Sequence, residues 1–150
     1  SSTSRGLGDV YKRQGQGRVV FQKTCANCHR LYGHGGTIGP DLTGSGRANL
    51  DYLLLNMVDP NATVGAEYRT SVIMMKDGRV LTGIVVSKND RTLTLQTALE
   101  RLTLSQSEIE ESKAQSNSLM PDGQLQTLTE QQVRDLAVYL MHPVQVPLPE

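Results

Sequence analysis

The sequence is poor in large aromatic side chains: Phe21 is its one phenylalanine, tryptophan is absent, and tyrosine contributes only five residues. Such side chains usually dominate a core, so the polypeptide leaves a gap that a bulky apolar cofactor would fill. Neither sign of charge is in excess, with 15 Lys and Arg against 15 Asp and Glu. That balance removes the electrostatic footprint of a nucleic-acid binder, and no nucleic-acid partner is expected. Apolar runs long enough to cross a bilayer are missing, so no membrane span is expected in this chain. The N-terminus also lacks the apolar centre of a signal peptide; any export signal was removed or lies outside this sequence.

What is present fits one ordinary domain, or a small domain carrying a compact insert, in 150 residues. Residues 1–14 are polar and rich in Ser, Gly and Arg, without helical or strand period, and are read as a disordered tail or scar outside the fold. From Gly15 the spacing of Val20, Phe21 and Thr24 predicts a short helix. The stretch Gly33-His34-Gly35-Gly36 and then Gly39-Pro40-Asp41-Leu42-Thr43-Gly44 predicts an ordered loop or no structure. Asn49 is placed to cap a helix through Leu50, Leu53, Leu54, Met57 and Val58, which must stop at Asp59-Pro60.

Beyond Tyr68 the period becomes two. Residues 70–75 and 80–86 are rich in β-branched side chains, and Asp77-Gly78 between them is a hairpin signal because it tolerates positive φ. Residues 92–97 and 101–104 form a second alternating pair, with a fifth strand expected near Ile109. The last helix has the clearest start: Thr129 with Gln132 makes a capping box, Val133, Leu136, Ala137 and Leu140 form one apolar stripe, and Pro143 ends it. This order predicts an α+β fold, a helical domain interrupted by a small antiparallel β insertion.

The chemistry sits in Cys25-Ala26-Asn27-Cys28-His29. Two thiols at this spacing can add across two vinyl groups on one porphyrin edge, with the following histidine ligating iron, so the motif predicts one covalent haem c. A thioredoxin-like pair uses the same spacing but normally follows a strand in an α/β pattern. Zinc would need further soft ligands, and there are no other cysteines. A disulfide between residues so close together is sterically awkward.

With haem accepted, the surrounding residues resemble a class I cytochrome c. The resemblance pairs Gly17 and Phe21 of the first helix with Leu136 and Tyr139 of the last as a crossing contact. It makes Gly39-Pro40-Asp41-Leu42 the loop below the haem and implies that the Pro40 carbonyl accepts a hydrogen bond from the other ring nitrogen of His29. For the distal face, Met57, Met74, Met75 and Met141 lie in predicted helices or strands where packing explains them. Met120 stands instead in the polar stretch Ser118-Leu119-Met120-Pro121-Asp122-Gly123, and the family's axial methionine lies in the corresponding loop. Iron without a distal protein ligand, or with histidine from His34 or His142, remains the alternative. Arg47 is a candidate for a haem propionate, against the plainer reading of a solvent-exposed side chain.

Taken together, the Cys25 to His29 motif, Gly39-Pro40-Asp41-Leu42-Thr43-Gly44, Asp77-Gly78-Arg79-Val80-Leu81-Thr82-Gly83-Ile84-Val85 and Ser118-Leu119-Met120-Pro121 are similar to the planctomycete and verrucomicrobial haem-binding domain. The resemblance implies a cytochrome domain of residues 15–67 and 114–143, an inserted β subdomain of residues 68–113 similar to an SH3-like or Sm-like barrel, and a C-terminal tail of residues 144–150. It further implies a periplasmic or otherwise exported electron carrier, not itself an enzyme, that takes single electrons from a fused dehydrogenase domain or a redox partner protein. A haem enzyme or ligand sensor with a displaceable Met120, and an interaction module with a structural haem, are the competing readings.

Overall fold

In the computed structural model the described residues are 2–150 for the backbone and 8–150 for side chains. Among the described residues the fold is α+β, with three α-helices and a five-stranded antiparallel sheet. In order the elements are α1 (Ser2–Thr24), β1 (Arg30–Leu31), β2 (His34–Gly35), α2 (Leu50–Val58), β3 (Arg69–Met75), β4 (Val80–Lys88), β5 (Thr92–Gln96), β6 (Arg101–Ser105), β7 (Ile109–Ser118) and α3 (Glu130–Met141). Their contacts divide them into two units, Ser1–Asp59 with Asp122–Glu150, and Pro60–Pro121.

The helical unit is built on α1 against α3. Phe21 and Tyr139 are both buried, their ring centroids 5.7 Å apart and tilted by 54°. Each such side chain withdrawn from water contributes about 1.5–3 kcal/mol. The helices approach most closely at Gly17, where a β-carbon would stand 1.9 Å from the Asp135 carbonyl oxygen. Only glycine permits that separation. At the start of α3, Thr129 accepts from the Gln132 amide and the Gln132 side chain accepts from the Thr129 amide, so the expected capping box is formed. Asn49 likewise caps α2 by accepting from the Tyr52 amide.

Both chain ends of this unit differ from expectation. Most of the residues read as a tail before Gly15 are helical, because α1 begins at Ser2; Ser1 lies outside the described residues. Once α1 is nucleated by its packed turns, each added residue closes one more backbone hydrogen bond, and helix can extend through a segment with no apolar stripe of its own. The C-terminal segment after Pro143 is also held: Val146 is buried, and Arg18 donates to its carbonyl at 2.6 Å. Gly15 packs against the same segment, 3.3 Å separating a β-carbon there from the Pro147 carbonyl oxygen.

The second unit has strand order β6-β5-β4-β3-β7, so four strands meander and the fifth returns beside the first. Ile73, Met75, Leu93, Leu95 and Leu104 form its core, with Leu81, Val85, Leu102 and Ile109 packed around them. β4 serves two neighbours in turn: its first half pairs with β3, as Ser71 with Gly83, and its second with β5, as Ile84 with Gln96. The β3–β4 hairpin forms where Asp77-Gly78 predicts it, but only Gly78 takes positive φ, at 94°. The Gly78 amide donates to Met75 O and the Met75 amide to Arg79 O, a three-residue loop closed by glycine. β7 is longer than the strand expected near Ile109 and carries this unit past residue 113, while residues 60–67 belong to it at its start.

Candidate functional site

The end of α1 builds the site. Cys25 still donates its amide to Phe21 O at 2.8 Å, as the last full turn of the helix. The chain then wraps around the Cys25 carbonyl, which accepts from the amides of Cys28 at 3.1 Å and His29 at 2.9 Å. This single turn keeps both thiols on the helix end and carries the imidazole past them. Loop residues return to it: Gly36 donates to Ala26 O at 2.7 Å, and Gly39 donates to Cys28 O at 2.8 Å.

His29 is oriented by that returning loop. Its Nδ1 lies 2.8 Å from the carbonyl oxygen of Pro40. A carbonyl can only accept, so Nδ1 carries a proton, which leaves Nε2 as the ring nitrogen able to offer a lone pair. Gly39 lies flat against the ring; a β-carbon there would be 2.8 Å from Cε1 and 3.0 Å from Nδ1. The glycine therefore lets backbone pack against the imidazole where any other residue would displace it. The close approach leaves no mark in the sequence beyond Gly-Pro itself.

Between the cysteines and the loop, Arg30–Leu31 pairs with His34–Gly35 in a short ladder where no strand was expected. Tyr32 and Gly33 make its turn with φ of 51° and 79°, the two positive values that a tight primed hairpin requires. A tyrosine at the first of these positions carries no turn signal, which is why residue type did not announce the hairpin. His34 lies in β2 and is exposed. His142 stands just after α3, its Nδ1 donating to Val144 O at 2.7 Å.

Both cysteines are free of a disulfide. Burial pushes the Cys25 thiol up to about 11, with neighbouring Cys28 adding to the shift, and burial also raises Cys28. A thioredoxin-like pair needs the opposite, a nucleophilic cysteine stabilised as thiolate. Among the described residues no group of three or more His, Cys, Asp and Glu converges, so a zinc site of that kind has no donor set. Paired neutral thiols beside an imidazole with a free Nε2 are the donor set that a covalently attached haem takes.

Met120 lies just beyond β7 in the unit Pro60–Pro121, half-buried, with its amide donating to Ser118 Oγ at 3.1 Å. Of the other methionines, Met57 and Met75 are buried, Met141 is half-buried, and Met74 is 40% exposed in β3. Met74 therefore does not have the packing role expected of it: it takes an outward position in its strand, opposite Val80.

Arg47 corrects both expectations for it. Only 8% exposed, it donates through Nε to Thr43 O at 3.1 Å and through its terminal nitrogens to the carbonyls of Leu140 at 2.8 Å, His142, and Pro143 at 3.5 Å. A guanidinium so occupied is a cap on the C-terminal carbonyls of α3, which helix geometry leaves without partners.

No curated protein matches the sequence. The cytochrome c family matches it over residues 15–79, a span that holds the cysteines, His29 and Pro40 and stops before Met120 and α3. No helix among the described residues is long and apolar enough to cross a membrane. Residues 15–79 are thus a cytochrome c family domain, whose cysteine pair implies covalent haem c and haem-based electron transfer.

Proposed function

We propose that this chain is a mono-haem c-type electron carrier in which Cys25 and Cys28 hold the haem by thioether bonds and His29 and Met120 are the iron ligands. The observation that carries the reading is the 2.8 Å contact between His29 Nδ1 and the Pro40 carbonyl, just after two free cysteines in the turn that ends α1. When bound, haem supplies the one-electron exchange between ferrous and ferric iron that no side chain here provides. Pro40 fixes the tautomer and orientation of His29, and Gly39 backs the ring so that it cannot rotate away. With Met120 holding the iron as well as His29, no position would be left open to a substrate, which would favour outer-sphere transfer over catalysis.

The finer reading is a class I cytochrome domain interrupted by a small SH3-like or Sm-like β module, of the planctomycete and verrucomicrobial type. The return of β7 beside β3 after a single 3-10 turn at Gln106–Glu108 supports the β module. Its electron donor is a dehydrogenase, fused or separate, and its compartment is the periplasm or another exported location, where c-type maturation occurs. The test is the matured holoprotein. Haem should resist acid-acetone extraction, titrate as a single one-electron wave, and bind carbon monoxide slowly in the ferrous state. Release of all haem into the solvent overturns the assignment, and rapid carbon monoxide binding turns it toward a ligand sensor.

A further inference from the structure

Arg47 binds more than a helix end. Its guanidinium lies 4.8 Å from the ring centroid of Tyr32, a cation–π contact, and the Tyr32 hydroxyl donates to the same His142 carbonyl that accepts from Arg47. The Tyr32 amide donates to Thr43 Oγ1 at 2.9 Å, while Arg47 Nε holds the Thr43 carbonyl. Thr43 in turn donates twice to Asp41 Oδ1, from its amide at 2.9 Å and its hydroxyl at 2.7 Å. Asp41 directly follows Pro40, and Leu42 is tied to Arg30 O at 2.8 Å. A residue that only capped α3 would end at the carbonyls of residues 140–143. This one continues through Thr43 and Asp41 to the segment that carries the histidine's acceptor.

We infer that Arg47 and Tyr32 are positioning residues that lock the end of α3 to the Pro40 loop and so hold the Pro40 carbonyl on His29. The inference rests on His29 being the iron ligand proposed above. Freed from the clamp, residues 41–43 lose their fixed distance from α3, and the carbonyl of Pro40 spends part of its time off Nδ1. A less strongly held Nδ1 proton makes the imidazole a poorer donor to iron, which disfavours the ferric state and raises the potential. The proton itself also becomes accessible to solvent.

The experiment uses matured holoprotein, comparing wild type with Arg47→Ala and Tyr32→Phe. Two quantities are read: the midpoint potential, and the solvent exchange rate of the His29 Nδ1 proton by NMR in the ferrous state. The expected result is a higher potential and faster exchange in Arg47→Ala, and a smaller change of the same sign in Tyr32→Phe, which keeps the ring beneath the guanidinium. If Arg47→Ala yields no folded holoprotein, Tyr32→Phe alone decides. Variants that melt at lower temperature but keep the wild-type exchange rate and potential, or whose potential falls, overturn the clamp. Wild-type protein that takes up no covalent haem overturns the proposed function instead, so the two failures are distinct.

Discussion

Gly17 and Asp135 meet so closely that a β-carbon on the glycine would stand 1.9 Å from the aspartate's carbonyl oxygen and 2.7 Å from Tyr139 Cβ. The obstacle is helix backbone, which cannot swing aside as a side-chain tip would. Gly17→Ala should therefore destabilise the protein by about 1–3 kcal/mol through forced separation of α1 from α3. The same change at an exposed helix position stabilises by about 0.5–1 kcal/mol, so the sign alone, read from urea unfolding, tests the contact.

Met120→Ala, in holoprotein, should abolish the sulfur-to-iron charge-transfer band of the ferric state, lower the potential and admit exogenous ligands. Visible spectroscopy and a redox titration check this. An unchanged band moves the role to another methionine; among these, Met57 is buried in α2 and Met141 is half-buried in α3.

Asp41 is held below the ordinary carboxylate range chiefly by the Thr43 amide, then by the Thr43 hydroxyl, with Arg30 assisting. A folded-state pKa below the unfolded value adds stability above the unfolded pKa of about 3.9, and that stability is lost as pH falls through the folded pKa. Asp41→Ala should thus be less stable than wild type near neutral pH, and the gap should narrow in acid. Denaturant midpoints across that window measure it.

The turn at Asp77 separates a charge pair from a backbone bond. Arg79 Nε lies 2.8 Å from Asp77 Oδ2, but both side chains are more than half exposed, so Arg79→Ala should shift stability by less than about 0.5 kcal/mol. Asp77 Oδ1 also accepts from the Arg79 amide at 2.9 Å. Asp77→Ala removes that acceptor from the turn and should cost more than its partner's replacement, as thermal melts of the two variants will show.

Local chemistry was legible in the sequence; long-range pairing was not. Asn49, Thr129 with Gln132, and Asp77-Gly78 each act within a few residues, so their caps and turn could be read from spacing. The contact of His29 with Pro40 followed from a resemblance, not from spacing, because the two stand eleven positions apart with the β1–β2 ladder between them. Arg47 was misread because its carbonyl partners at residues 140–143 are far along the chain, and a carbonyl belongs to every residue type alike. The Tyr32–Gly33 turn and the packed C-terminal segment were missed for related reasons: positive φ at tyrosine is rare, and Val146 has no periodic neighbours to announce its burial.

The strand unit begins and ends at nearly one point. Asn61 Oδ1 accepts from the Ser118 amide at 2.8 Å, and Arg69 faces Ser118 across the ladder. A flexible connection of this length would burden closure of the helical unit with chain entropy that grows by about 0.6 kcal/mol per doubling. Pinned at its base, Pro60–Pro121 instead has the entropic length of a short turn. Residues can then be added to or removed from its outer hairpins while α1 and α3 retain their route to one another, so variation in this chain should collect there.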